Sequence, residues 1–233
     1  MQILFEDESL IAINKPSGML VHPTEAGLSP QNIREETCLS ALRGYCKHHV
    51  FPVHRLDRAT SGVLIFAKNS LAAAALCTSF EQSNAQKEYI ALVRGWMPPD
   101  VEVDHPVWNE IRTQRLNAKT SFSLLEKFEL PTPSEHHATS RYSLVSAKPH
   151  TGRYHQIRQH LKHLSHPIVG DTAHGNGKHN RFFRERFGLQ RLFLHSKSLE
   201  IMHSMTHIPI TLTAEIPEEL NTVLSALREF KIL

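Results

Sequence analysis

The 233-residue chain lacks any apolar run near the roughly 18–20 residues that a membrane helix needs, and its start, MQILFEDESL, has neither the basic flank nor the apolar core of a signal peptide. A membrane partner is therefore not expected, and a cytoplasmic location is. Cysteine is scarce. Cys38, Cys46 and Cys77 form no C-x-x-C pair and no disulfide framework, which fits small buried thiols in a reducing compartment. Neither G-x-G-x-x-G nor G-x-x-x-x-G-K-[ST] occurs, so a nucleotide cofactor or a P-loop engine is disfavoured. No H-E-x-x-H pattern is present. No acid lies between 145 and 170 to complete a hard-metal set with His155, His160, His163 and His166, for which helix-surface positions are the better account. Internal repeats and low-complexity tails are absent too.

What is present is a concentration of positive charge. Residues 148–197 hold ten Lys or Arg against two acids, a local +8 in a chain whose formal net charge is +3. Such a field suits a polyanion, although a solvated basic face has the same composition. The 40% hydrophobic fraction and the length allow a real core. Short strands are expected at 2–5, 10–13 and 63–67, a helix over 30–46 with Ile33, Leu39, Leu42 and Cys46 inward, and a second helix over 70–83 entered from Asn69. KEYIALVRG (87–95) reads as a strand, 96–118 as a hairpin excursion or loop, and 120–128 and 139–148 as strands linked by LPTPSEHHA. A helix over 154–164 places Ile157, Leu161 and Leu164 on one side and His155, Arg158 and Lys162 on another. A strand at 206–216 precedes a closing helix with Leu220, Val223, Leu224, Leu227 and Phe230 as its packing stripe. Strands and helices mix without a βαβ period, which points to an α+β fold.

Several residues could carry chemistry. In HRLDRATSG (54–62) Asp57 stands between basic neighbours just before a buried strand. Contact with arginine would favour the carboxylate, a plausible nucleophile or base and a poor acid. Neighbours in an extended segment face different ways, however, so a surface ion pair or a loop anchor is the plainer account. Tyr89 could stack on a base or move a proton, or simply line a wall. Lys87, on the same side of its strand, could face phosphate or sit on an exposed edge. Arg158 could orient a buried carboxylate through a bidentate bond or belong to a surface stripe. In GNGKHNRFFRERFG, Lys178 and Arg181 alternate with phenylalanines, a mixture suited to backbone contacts and stacking or to a short amphipathic helix with its rings in the core.

Taken together, INKPSGMLVHP (13–23), HRLDRATSGVLIFAK (54–68), KEYIALVRG, TGRYHQIRQHLKHLSHPIVGD (151–171) and RLFLHS (191–196) resemble the RluA-type RNA pseudouridine synthases across nearly the whole chain. The resemblance implies a mixed, largely antiparallel central sheet in two subdomains flanking a catalytic cleft. It also implies one catalytic domain over 1–233 without a separate S4 domain, and no metal or organic cofactor. Asp57 matches the family aspartate, Arg55 the arginine beside the flipped uridine, Tyr89 the active-site tyrosine, Arg158 the basic partner of the aspartate and Ile157 a pocket hydrophobe. Arg153 and His155 fall in the same motif, and with Lys87, Lys162, Lys178 and Arg181 are expected at RNA. Tyr154 stands where relatives often carry threonine. Segments 24–50 and 96–118 carry no distinctive motif and are candidates for substrate selection. The expected reaction is isomerisation of uridine in transfer RNA, at position 65, with no protein partner implied. The same reaction on ribosomal RNA or another transfer RNA position, and a non-catalytic RNA-binding module, are the alternatives.

Overall fold

The computed structural model describes residues 1–23, 35–133 and 138–232. In chain order, the first elements are β1 (Gln2–Glu6), β2 (Leu10–Lys15), α1 (Cys38–Cys46), β3 (Phe51–Pro52), β4 (Ser61–Ala67) and α2 (Ser70–Glu81). Then come β5 (Gln86–Arg94), β6 (Asp100–Asp104), β7 (Val107–Trp108), β8 (Arg115–Leu116), β9 (Lys119–Leu130), β10 (Ser140–Pro149), α3 (Gln156–His163) and α4 (Gly177–Phe187). The chain continues through β11 (Leu194–Met202), β12 (Pro209–Thr213), α5 (Glu218–Arg228) and β13 (Lys231–Ile232). Two compact units result: Met1–Gln86 with Ser196–Ala214, and Lys87–His195 with Glu215–Leu233.

In the first unit β2 pairs antiparallel with β1 and with β4, and β12 pairs antiparallel with β11. β4 is buried along its whole length, as its unbroken apolar run VLIFA requires. One face of this sheet carries Leu10, Ala12, Val63, Ile65, Leu199 and Ile201, and α2 covers it with Ala72 and Leu76. Asn69 caps α2 by accepting the Ala72 N–H, as its position before an alanine-rich run predicts. Helix α1 begins later than the spacing suggests, because Thr37 and Ser40 form a capping box there. Residues 30–34, including Ile33, lie outside the described residues, as does 134–137 of the LPTPSEHHA link.

The second unit is built on the order β5-β10-β9-β13, with β6 also on β9 and every one of these pairs antiparallel. Segment 96–118 forms β6 and the separate β7–β8 hairpin. Helix α5 buries Leu220, Val223, Leu224 and Leu227 as expected, whereas Phe230 lies past its end. The strand expected at 206–216 is confined to β12, and β11 has no counterpart in the periodicity. Its alternation is hidden because Leu194, His195 and Ser196 are all buried. Helix α3 differs from expectation in its faces. Arg158 and His160 are buried beside Ile157 and Leu161, while Leu164 is only its C-cap.

Gly62, the last residue of the HRLDRATSG stretch, enters β4 at φ +112°, and a Cβ there would lie 2.1 Å from the Ser196 carbonyl oxygen. Backbone strain and a backbone clash act together, so Gly62→Ala is expected to lose about 2–5 kcal/mol of unfolding free energy in urea titrations.

Candidate active site

In the first unit the chain around Asp57 alternates. Arg55 is exposed, Leu56 buried, Asp57 half-buried and Arg58 exposed. A turn closes over the acid through the Thr60 N–H, which donates to the Asp57 carbonyl at 3.0 Å. His54 precedes Arg55 and is half-buried. Its Nε2 accepts the Ile65 N–H at 2.9 Å and its ring stacks on Phe80, so it pins the segment to β4 and α2.

The deepest anchor is Lys15, a fully buried side chain. Its ammonium donates to the carbonyls of Pro16 (2.8 Å), Met19 (2.7 Å) and Arg58 (3.1 Å), which offer three acceptors to its three donors. Gly18 N–H adds a bond to the Arg58 carbonyl, and Ser17 Oγ donates to the Ala59 carbonyl. Thus INKPSG holds the backbone that carries Asp57. Arg58 returns the contact by donating to the Gly18 carbonyl and pairing with Glu35. It is a structural cation, and the arginine after the acid has its own carboxylate elsewhere.

In the second unit Tyr89 is buried in β5 opposite Ala147 of β10. Lys87 is half-buried rather than an exposed edge residue. Burial lowers its pKa, and its Nζ lies 3.9 Å from where a Cβ on Gly152 would stand. The turn before α3 is organised by Gln156, a buried amide with all four hydrogen-bonding positions used. It donates to the Lys119 carbonyl and Thr120 Oγ1 and accepts from Thr151 Oγ1 and the Arg153 N–H. Arg153 itself is exposed and donates to the Asn117 carbonyl. His155 enters the helix at φ +48°, stacks on Tyr154 at 3.8 Å between ring centroids, and its Nδ1 lies 3.0 Å from His174 Nε2.

Ile157 is buried, and beside it Arg158 makes the two-pronged bond to a carboxylate that the sequence allowed. Its Nε donates to Asp171 Oδ2 at 2.8 Å and its Nη2 to Oδ1 at 2.9 Å, with side chains only 7% and 1% exposed. Asp171 Oδ1 also accepts the Ala173 and His174 N–H groups. Burial would raise the Asp171 pKa. The Arg158 bond and charge and the two N–H groups outweigh it, so the carboxyl lies below the ordinary range. Burial, together with Arg158, Lys162 and Arg112, lowers His174 against the pull of Asp171.

His160 corrects the view of the α3 histidines as surface residues, because it is completely buried. Its Nδ1 meets Thr120 Oγ1 and its Nε2 the His105 carbonyl, both at 2.9 Å, and burial lowers its pKa. His166 is tied to the Arg94 carbonyl. Lys178 and Arg181 are exposed on α4, while Phe183, two residues after Arg181, is core, which favours the amphipathic-helix account of that stretch. Lys15, Gln156 and Asp171 are the supporting residues that motif reading did not single out. Only the density of motif around each hinted at them.

The RNA pseudouridylate synthase family profile matches residues 9–163. The chain is 42% identical to the tRNA pseudouridine synthase C of Vibrio cholerae, covering 97% of this chain and 95% of that protein, and 42% identical to that of Haemophilus influenzae, covering 94% of each. Among solved structures it resembles human RNA Pseudouridylate Synthase Domain Containing 4 (TM-score 0.73, 23% identity, 97% and 93% of the two chains) and Domain Containing 1 (TM-score 0.70, 23% identity, 97% and 94%), which establishes the α+β pseudouridine synthase fold. With a profile match that spans both the Asp57 and the Arg158 segments and relatives similar from end to end, the chain belongs to the RNA pseudouridylate synthase family.

Proposed function

We propose that this protein isomerises uridine to pseudouridine in transfer RNA, at uridine 65, with Asp57 as the catalytic carboxylate. The observation that carries the reading is the end-to-end similarity to proteins named tRNA pseudouridine synthase C. A cytoplasmic location fits such a substrate, and among the described residues no helix is long and apolar enough to cross a membrane.

The reaction breaks the N1–C1′ glycosidic bond, turns the retained uracil and joins C5 to C1′. The C5 proton then leaves and N1 takes up a proton, so the product is an isomer of the substrate. The uridine must first leave its helix, at a cost of a few kcal/mol that phosphate contacts offset. Asp57 acts as the carboxylate, either by attack or by taking a sugar proton, and Arg55 faces the flipped nucleotide. The backbone cage of Lys15, Ser17 and Gly18 supports this role, since a group that reacts must be held in place. Tyr89 packs against the base and assists the last proton transfer, and Ile157 lines the base pocket. Arg158 is the cation that serves Asp57. Its Nε–Nη2 edge is given to Asp171, a two-pronged bond that fixes the plane and position of the guanidinium. Arg153, His155, Lys87, Lys162, Lys178 and Arg181 complete the surface proposed for RNA.

Incubating the pure protein with unmodified transfer RNA and mapping the product tests the whole reading. Pseudouridine at position 65 is expected, product at another position overturns the substrate assignment, and no product in transfer or ribosomal RNA overturns the activity. Asp57→Ala is expected to bind transfer RNA within about threefold of wild type while turnover falls by about 10³-fold or more; near-normal turnover defeats the assignment. For Tyr89→Phe, loss of one proton-transfer group predicts a kcat about 10²-fold lower at little-changed KM, read from steady-state tritium release.

Asp171→Asn tests the support beneath Arg158. It leaves a buried guanidinium without its carboxylate and should cost about 3–5 kcal/mol at neutral pH. Because the folded Asp171 pKa is depressed, its stabilisation is complete above the unfolded value near 4 and is lost as pH falls through the folded value. Denaturation midpoints of wild type and Asp171→Asn should therefore converge in acid.

A further inference from the structure

The second unit contains a groove of about 380 Å³ between the β7–β8 hairpin and the exposed side of α3. Its walls include Trp108, Arg112, Arg115, Tyr154, Lys162 and the His105–His163 pair, and no acidic residue is among the described residues lining it. We infer that this groove is a second nucleotide site, which takes one unstacked base of the transfer RNA between aromatic planes and grips its flanking phosphates with Arg112, Arg115 and Lys162. The inference rests on the transfer RNA reading above and adds a place and a chemistry that the reading does not contain.

Flat surfaces and cations alternate here as base and phosphate do in a single strand. Trp108 is 40% exposed, and the Arg115 guanidinium lies 4.8 Å from its ring centroid. His105 and His163 stack at 3.9 Å with planes 13° apart. Burial lowers the His105 pKa, with His163 and Arg115 acting in the same direction, so at neutral pH this ring is an uncharged plane rather than a third kind of phosphate ligand. Tyr154, the residue that departs from the common threonine, adds a further plane through its stack on His155.

The groove is also built before any ligand arrives. The Gln159 amide accepts from the Trp108 N–H at 2.9 Å and donates to the Trp108 carbonyl at 3.0 Å and the Tyr154 carbonyl at 2.8 Å. It thereby acts as a side-chain strand partner that holds the hairpin to α3. At the tip, Asn109 Oδ1 accepts the Thr113 and Gln114 N–H groups, and Asn109 Nδ2 donates to Thr113 Oγ1. A site so constrained loses little entropy when occupied. The volume falls in the range of about 300–1,000 Å³ usual for small-molecule pockets, enough for a base rather than for a duplex.

The test is equilibrium binding of unmodified transfer RNA transcript to wild type, Trp108→Ala, Trp108→Phe and Arg112→Ala over a range of salt concentrations. Trp108→Ala is expected to weaken binding by about tenfold with an unchanged salt slope, because stacking releases no counterions. Trp108→Phe, which keeps a plane, should stay within about threefold of wild type. Arg112→Ala should lower the slope of log affinity against log salt by about one, the signature of a lost phosphate contact. Wild-type affinity in Trp108→Ala, or equal losses in the alanine and phenylalanine variants, overturns the base site. An unchanged slope in Arg112→Ala overturns the phosphate grip. Pseudouridine formation by wild type in the same transcript separates the two levels: product with an indifferent Trp108 sinks the groove alone, and no product sinks the parent reading.

Discussion

The second unit depends on a guanidinium and a carboxylate that are both out of water. Burying either one alone is costly, and together they are tolerated because every contact is hydrogen-bonded with good geometry. Arg158 comes from the middle of α3 and Asp171 from the turn after it, so their bond fixes the helix against its own exit loop. The same carboxylate holds the backbone of Ala173 and His174, and through His174 the pair reaches His155 and the Tyr154 stack. A short helix with a net polar sequence thereby becomes a fixed platform. The proposed catalytic cation is one of its interior members.

Around this pair the polar interior is saturated rather than dry. Thr120 on β9 is fully buried and accepts from Gln156 Nε2. Its hydroxyl proton is then available to His160 Nδ1, which leaves His160 Nε2–H to donate to the His105 carbonyl. This order of donors suits a neutral imidazole, in agreement with the pKa lowered by burial. The chain of bonds runs from β9 through α3 to His105, in the link between β6 and the β7–β8 hairpin. Arg158 and His160, for which the sequence allowed a place on a basic surface, are therefore interior.

Much of this architecture was legible in the sequence, for identifiable reasons. The β4 run, the Asn69 cap and the α5 stripe announce themselves through local chemistry, because apolar burial and capping act over a few residues. The α3 faces were misjudged because helical spacing assigns polar residues outward. Arg158 and His160 point inward only because Asp171, Thr120 and the His105 carbonyl wait there, and none of these is visible in a window of one helix. Strand β11 was missed since both of its sides are covered at its start. Asp57 is proposed from its motif, whereas the anchoring of its loop by Lys15 required knowing that residues 15 and 58 are neighbours.

The Lys15 staple has a consequence for how this part of the molecule can change. All three of its described acceptors are main-chain carbonyls, of Pro16, Met19 and Arg58. Such a contact is blind to what the side chains at those positions are. Substitution at Met19 or Arg58 can alter the surface near the acid without loosening the ammonium's hold on the loop. An arginine in place of Lys15 could not converge on the same three oxygens, since its donors are spread across a rigid plane. The outward side chains of the loop can thus vary while the Lys15 ammonium keeps three of its inner carbonyls converged on one point.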